Sequence, residues 1–390
     1  MKYYILFSIK GCLIKLTIWV YIVIFGYISY TYMTNNRFNQ RFNFDFESNK
    51  KITRLISEIN ELKASFRVQT NLSPQLIVRM TKSVLITSSG ASTRIEGSHL
   101  TDKQVKELFS SHKIKKFKTR DEQEVAGYLE LLGIVFENWK SIVFSENTIK
   151  QFHSILLKYS EKDTRHKGNY KFGSNRVEAR EPNGKLIGII FDPTPPHLVP
   201  IEMQELVEYT IQELNLKESL PLLIIANFIF EYLAIHPFQD GNGRSSRILT
   251  NLLLLQSGYE FIPFISHERI IEENKEEYYN VLNTVQRTWK SEKEGITQWI
   301  LFFLEVVKKQ AQKAVELIEK AEDMELILSE KQFKVWESLS SSLEALSIST
   351  LETKTQVNRE TIKQSLQKLL KMDKIKQLGI GKGTRYQIKK

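Results

Sequence analysis

The sequence holds one cysteine, Cys12, among 390 residues. That excludes a disulfide framework and any cysteine-based zinc site, and a reducing compartment is the simplest reading. Internal repeats are absent, and so are low-complexity stretches beyond local serine clusters. Solenoids and repeat arrays are therefore set aside. Most of the chain also lacks a charge imbalance. Residues 354–390 carry eleven Lys or Arg and two acids, and residues 1–33 carry three lysines. The overall +10 thus leaves residues 34–353 at about −2. An acidic partner drawn by general charge would meet the C-terminal tail.

Residues 16–33 (LTIWVYIVIFGYISYTYM) lack any charged side chain. Eighteen such residues approach the roughly 20 that span a bilayer as a helix. Lys10 and Lys15 flank one side, Arg37 and Arg41 the other, so charge bias orients the segment little. A small-residue cleavage site is missing, which argues against a removed signal peptide. Met33 opens a polar segment that reads like a natural start. Two readings stand: a cytoplasmic protein anchored by residues 16–33, or a cytoplasmic protein whose true start is Met33.

What is present is mostly helical. Apolar Ile52, Leu55, Ile56, Ile59 and Leu62 follow helical spacing within 50–88. A second helix is expected after Ser73-Pro74, with Ser73 as cap and Pro74 first in the helix. Helices are also expected over 104–109, 122–139, 148–159, 202–215, 220–235, 245–256, 267–290 and 296–322. Residues 168–192 change pattern, with short alternating runs around Pro182-Asn183-Gly184, and read as a β-hairpin. The run 220–235 is almost wholly apolar and ends at His236-Pro237, because the residue before proline leaves the helical region.

The chemistry concentrates in residues 236–247, HPFQDGNGRSSR, a loop between two apolar helices. Gly241-Asn242-Gly243 can turn successive N–H groups toward one anion, and the helix expected to open at Ser245 adds its positive end. Arg244 and Arg247 stand three residues apart and suit a di- or triphosphate. Asp240 is a hard oxygen ligand for Mg²⁺ beside phosphate. His236 can take a hydroxyl proton near neutral pH. Each feature alone has an ordinary reading, as turn, cap or solvated arginine. Their coincidence within twelve residues favours a site.

This stretch matches H-P-F-x-[D/E]-G-N-G-R-x-x-R without a departure, and the chain resembles the Fic family over residues 34–310 in element order. The resemblance implies a mainly α fold, with an all-helical core and a β-hairpin flap. It implies nucleotidyl transfer, usually AMP from ATP, to Ser, Thr or Tyr of a target protein. It gives His236 the role of general base and makes Phe238 the anchor of the loop. Asp240 holds Mg²⁺; Gly241, Asn242 and Gly243 cradle phosphates; Arg244 and Arg247 grip the departing ones. Gly243-Arg244 separates the chain from relatives that phosphorylate, which lack the second glycine. Ser92-Thr93-Arg94-Ile95-Glu96-Gly97 resembles the family's inhibitory motif, [S/T]-x-x-x-E-[G/N]. In relatives that glutamate pairs with the second arginine, here Arg247. The plain alternative is a solvated helix end capped by Gly97. Asn274, Tyr278 and Tyr279 resemble the segment that closes on adenine, with a helix core or surface as the alternative.

Residues 325–390 read as a winged helix-turn-helix, with helices over 331–339, 349–354 and 356–372 and a wing around Gly379, Gly381 and Gly383. DNA is one partner for it; another protein or the Fic core is the other. The organisation expected is residues 1–33 as anchor or upstream extension, 34–145 as a helical region with the inhibitory motif, 146–310 as the Fic core and 325–390 as the winged helix. The leading function is a protein adenylyltransferase that modifies a target and itself, self-inhibited by Glu96 on Arg247. Two alternatives stand. One is a DNA-binding regulator whose site modifies itself. The other is the same chemistry with another nucleotide donor. Whether the chain forms a homodimer is open.

Overall fold

The structure, a computed structural model, describes residues 38–69, 74–110, 117–180, 186–216, 220–342 and 344–389. The hydrophobic segment 16–33, Ser73 and the hairpin tip at 182–184 lie outside these. Among the described residues no helix is long and apolar enough to cross a membrane.

The chain is mainly helical. The N-terminal half runs α1 (Phe46–Gln69), α2 (Pro74–Ile95), α3 (Asp102–Ser110), α4 (Arg120–Asn138) and α5 (Glu146–Leu156). A two-stranded antiparallel hairpin follows, β1 (Val177–Arg180) and β2 (Leu186–Phe191). Then come α6 (Val199–Leu216), α7 (Pro221–Ile235), α8 (Asn242–Gln256), α9 (His267–Glu273), α10 (Lys275–Gln286) and the long α11 (Thr297–Ile327). The C-terminal part holds α12 (Glu330–Ser340), α13 (Ile348–Thr355), α14 (Arg359–Lys371), β3 (Ile375–Leu378) and β4 (Arg385–Ile388).

Local chemistry explains several boundaries. Pro74 and Pro221 start helices, where a missing N–H costs nothing. Thr119 and Glu122 form a capping box that starts α4. The helix expected over 267–290 is broken in two. Asn274 leaves helical geometry, ends α9 and starts α10. The helix expected from Ser245 begins three residues earlier, at Asn242, because Gly241 takes a left-handed conformation and serves as cap. Gly243 and Arg244 therefore belong to its first turn.

Apolar side chains gather in two clusters. The larger runs from Phe38 to Ile318, with α7 and α8 at its centre. All but two of the fifteen residues of α7 are buried, and the same holds for α8. The smaller cluster joins Leu328, Val335, Leu351, Ile362, Leu366 and Ile375 of the C-terminal part. Tyr386 of β4 also bridges Leu346, a third short strand contact that the sequence pattern does not announce. Phe333 and Trp336 pack against both clusters.

Arg41, expected only as a flanking charge, is buried. It donates to Asn227, Glu231 and Glu294 at 2.9, 2.6 and 2.5 Å. This cation answers the buried Asn227 and Glu231 of α7, and Glu231 also accepts from Trp289 Nε1 at 2.9 Å. Arg41→Ala should therefore lower unfolding stability by about 3–5 kcal/mol, the usual cost of leaving a buried partner unpaired. A urea titration with unchanged slope reads this directly. A loss below about 1 kcal/mol would mean that water replaces the guanidinium at little cost.

Candidate functional site

The loop 236–241 hangs between two helices that cannot move independently. Tyr232 of α7 and Ser245 of α8 share a hydrogen bond of 2.7 Å. His236 ends α7 in a left-handed conformation (φ 52°, ψ 61°) and its N–H donates to the Tyr232 carbonyl. Phe238 is fully buried and stacks on the His153 ring, with centroids 3.8 Å apart.

Three residues missed by sequence reasoning hold this loop. Gly168 donates its N–H to His153 Nδ1, so the other ring nitrogen, Nε2, carries the proton and donates to the Asp240 carbonyl at 2.9 Å. Burial holds the His153 pKa down at about 4, which keeps that tautomer neutral. Asn175 donates to the carbonyls of His236 and Phe238 at 3.1 and 2.8 Å. Buried Lys171 ties Asn175 to the Ile235 carbonyl. None of the three lies in the motif. Their spacing from it in sequence gave no clue.

Asn242 was expected to cradle phosphate together with its flanking glycines, whose successive backbone N–H groups turn toward one anion. Its side chain accepts from the Phe238 N–H (2.9 Å) and donates to the Phe238 carbonyl (2.7 Å). It closes the loop on itself. The anion-facing donors are thus backbone N–H groups of the first turn of α8, which an α-helix leaves without internal acceptors.

His236 is half-buried. Its Nδ1 lies 3.3 Å from the Leu233 carbonyl. Donation from Nδ1 leaves Nε2 with its lone pair free. Burial pushes its pKa down to about 4, and the Lys171 ammonium adds to this.

Asp240 accepts from Arg244 (3.1 Å), Arg120 (2.8 Å) and the Gly241 N–H (2.6 Å). Burial works to raise its pKa, but Arg244, the Gly241 N–H and Arg120 outweigh it and hold the carboxyl below its usual value. Arg244 is 2% exposed and also pairs with Glu124 at 3.1 Å. Glu124 and Arg120 of α4 are further members of the site that the motif does not contain.

Arg247 is 2% exposed, and α2 takes most of its donors. Nε donates to Ser92 Oγ (2.8 Å), and Nη2 to the Ser92 carbonyl (2.9 Å) and to Glu96 Oε1 (2.8 Å). Contact with Glu96 is through one carboxylate oxygen, where a bidentate pair was expected. Gly243 explains how Glu96 comes so close. A Cβ on Gly243 would stand 2.2 Å from Glu96 Oε1. The carboxylate therefore lies over the first turn of α8, on the anion-binding end of that helix. Gly97 (φ 103°) ends α2 beside it, so the helix-end reading and the Arg247 pairing hold together.

Among the described residues four buried guanidinium nitrogens have no hydrogen-bond acceptor: Arg41 Nε, Arg244 Nε and Nη1, and Arg247 Nη1, of which Arg244 Nη1 still has Glu124 as its ion-pair partner. An orphaned buried donor costs about 1–3 kcal/mol, more when charged. Those of Arg244 and Arg247 belong to the first turns of α8.

The segment expected to close on adenine packs against the core and the end of α2. Asn274 Nδ2 donates to the Ile270 carbonyl and caps the helix break. Tyr278 is buried against Trp299 and Phe302. Tyr279 donates its hydroxyl to the Ile95 carbonyl, the last of α2, at 3.2 Å.

Residues 143–254 match the Fic/DOC family. The match covers less than a third of the chain. It is 31% identical over 121 residues to a probable protein adenylyltransferase of Aquifex aeolicus, covering 30% of this chain and 37% of that protein. It is 33% identical over 96 residues to a Fido domain-containing protein of Dictyostelium discoideum, covering 24% of this chain and 62% of that one. The chain thus spans less than two thirds of the length of these relatives. In fold it is similar to a Fic family protein from Desulfovibrio desulfuricans, with a TM-score of 0.58 and 21% identity over 90% of this chain and 98% of that one. Part of a Caenorhabditis elegans Fic protein follows at a TM-score of 0.54, 19% identity, 69% of this chain and 73% of that one. The matched residues contribute α7, the loop and most of α8; Ser92, Glu96, Arg120 and Glu124 come from outside them.

Proposed function

We propose that the chain is a protein adenylyltransferase. It moves AMP from ATP to a Ser, Thr or Tyr hydroxyl of a target protein and of itself, and Glu96 on Arg247 holds it inactive. The observation that carries this reading is the convergence of His236, the first turn of α8 and two arginines with orphaned donors on one oxyanion site. The relatives named as adenylyltransferases support AMP as the transferred group.

In this reading the target oxygen attacks the α-phosphorus of ATP. A phosphorus–oxygen bond forms, the bond to the β-phosphate breaks, and pyrophosphate leaves. His236 Nε2 takes the hydroxyl proton. The N–H groups of the α8 first turn and the guanidinium groups of Arg244 and Arg247 hold the phosphates. Mg²⁺ fits as a partner of the nucleotide and not of a protein cage. Among the described residues no three His, Cys, Asp or Glu stand together, and Mg²⁺ commonly takes one carboxylate plus phosphate oxygens. Asp240 is that carboxylate, once it exchanges its arginines for the ion. The ion would neutralise charge on the leaving phosphates. The β1–β2 hairpin offers a strand edge on which a target backbone can register.

The C-terminal order of three helices, two strands and the Leu346 bridge supports a winged helix over 325–390, with its division from the Fic core near α11. The exposed basic residues Arg359, Lys363 and Lys371 of α14 support an acidic partner there, DNA being one. The 16–33 segment keeps a cytoplasmic, membrane-anchored form as part of the proposal.

The pH profile of self-labelling with ATP tests the base. His236 must be neutral to act, and its pKa of about 4 makes it so throughout the neutral range. His153 is lowered in the same way. Its contribution to stability is full above its ordinary value near 6.5 and is lost as pH falls toward about 4. The labelling rate per folded molecule should therefore stay level from about pH 8 to about pH 5.5 and fall below that. A midpoint near the ordinary histidine value would show that His236 is not held neutral by burial during the reaction.

A further inference from the structure

The end of α2 that carries Glu96 is gripped by charges that the nucleotide site does not use. Arg94, two residues before Glu96, is half-buried and donates from all three of its guanidinium nitrogens. Nε donates to Glu272 Oε1 at 2.6 Å and Nη2 to Glu272 Oε2 at 3.2 Å, a two-pronged grip on one carboxylate of α9. Nη2 also donates to Asp102 Oδ1 at 2.9 Å, and Nη1 to the Leu100 carbonyl at 2.6 Å. Arg269 of α9 completes the arrangement. It donates to Glu272 Oε2 at 2.9 Å and pairs with Asp102 Oδ2. Arg94, Glu272, Arg269 and Asp102 therefore form a closed ring in which each charge meets two of the opposite sign.

The ring ties α2, α3 and α9 together at one point. Gly90, one turn before Arg94, makes room for it. A Cβ on Gly90 would stand 2.7 Å from Arg94 Nη1 and 2.9 Å from Asp102 Oδ1. The helix break at Asn274 brings further donors to the same place. Lys275 donates to the Arg94 carbonyl and Tyr279 to the Ile95 carbonyl, each at 3.2 Å. A helix end leaves such carbonyls without donors of its own. At about 100° per residue, Arg94 and Glu96 leave the helix end some 200° apart. One side of that end is fixed to α3 and α9, while the other delivers Glu96 to Arg247.

An isolated ion pair at a surface contributes little. This ring is different in two respects. Its side chains are only 17–32% exposed, and each is shared between two partners. Loss of the Glu272 charge would also leave the Arg94 and Arg269 guanidinium groups facing each other across a single carboxylate. Their repulsion pushes the end of α2 away from α9.

We infer that the ring is the positioning device for Glu96. It sets the end of α2 where the carboxylate meets Arg247, and loss of one of its charges frees that end and opens the nucleotide site. The consequence for activity rests on the inhibitory reading of Glu96; the hold on α2 does not. Arg94, Asp102, Arg269 and Glu272 act through Glu96 and have no part in holding the nucleotide.

Two substitutions in the full chain test this. Glu272→Gln removes a charge and keeps the shape. Gly90→Ala is an independent route, because alanine favours a helix interior while its methyl group displaces Arg94 Nη1 and Asp102 Oδ1. With folding checked by thermal midpoint, each should raise self-labelling with ATP by about three- to ten-fold, less than Glu96→Gly does, since the carboxylate remains. In the Glu96→Gly background the same substitutions should leave labelling unchanged, because the group they release is already gone. Hydrogen exchange at the amides of residues 93–98 should quicken by at least about ten-fold in both variants, whatever Glu96 does. Flat labelling in folded variants, while Glu96→Gly labels faster, overturns the ring as a device for Glu96 and leaves it a brace of the fold. An equal rise in both backgrounds overturns action through Glu96. Unchanged exchange at 93–98 overturns the hold on α2. If exchange quickens but Glu96→Gly labels no faster than wild type, the inhibitory reading fails and the hold on α2 stands.

Discussion

Glu96→Gly should raise self-labelling with ATP by about 10–100-fold. Arg247 is buried and takes three of its hydrogen bonds from α2, one of them from Glu96 Oε1 at 2.8 Å. Removing a buried ionic partner often changes energies by about 3–5 kcal/mol. Glu96 keeps 32% of its side chain exposed, so solvent screening lowers that figure. One to two powers of ten in rate, about 1.4–2.7 kcal/mol, is the expected remainder. Two effects act together. Arg247 regains one of its two Nη2 N–H donors for phosphate, the other staying on the Ser92 carbonyl, and the carboxylate no longer lies over the first turn of α8. Arg247→Ala separates them. If the freed guanidinium matters, the Glu96→Gly, Arg247→Ala double variant should be inactive. If clearing the helix end suffices, it should retain most of the gain. Labelling that stays flat or drops in a folded Glu96→Gly would leave the contact without an inhibitory role. Ser92→Ala should raise labelling less than Glu96→Gly does, because it removes a neutral partner of Arg247 and leaves the carboxylate in place.

Why some of this could be read from the sequence is a matter of locality. The helices around α7 and α8 were legible because their apolar runs and the His236-Pro237 break are local signals. The motif residues were legible because backbone geometry forces them into one short stretch. What stayed hidden is what only the packed fold brings together. His153, Lys171 and Asn175 brace the loop from segments 61–87 residues away, and each looks like an ordinary residue of its own element. Glu124 and Arg120 reach the site from α4 for the same reason. The side-chain bonds of Asn242 to both backbone groups of Phe238 stayed hidden, because only the loop's curvature brings the two residues together. The start of α8 was placed three residues late because Gly241 reads as a loop residue, while its left-handed conformation makes it a cap. Tyr279 reads as a base-contacting aromatic, yet its hydroxyl ends on the last carbonyl of α2.

His236→Ala should reduce transfer by about 10²–10⁴-fold, the range of positioned acid–base groups, while nucleotide affinity changes little. The argument is geometric. His236 closes α7 and is held through its N–H on Tyr232 and its carbonyl on Asn175. Both are backbone contacts, which alanine keeps. The left-handed backbone (φ 52°) costs alanine some strain, so the variant needs a folding check by thermal midpoint. The groups assigned to phosphate belong to α8, whereas the imidazole's ring contact is with the Leu233 carbonyl of α7. Loss of the ring therefore removes a proton acceptor and leaves the oxyanion site standing. Calorimetry with a non-hydrolysable ATP analogue, set beside labelling by ATP, separates the two functions. This is best done in the Glu96→Gly background, where the phosphate site is open. Affinity that falls in parallel with rate would make His236 a binding residue. The substitution His236→Asn adds a second check. It occupies similar space and tolerates the left-handed conformation better, yet cannot take a proton at neutral pH. Activity near wild type in that variant would remove His236 from the proton transfer altogether.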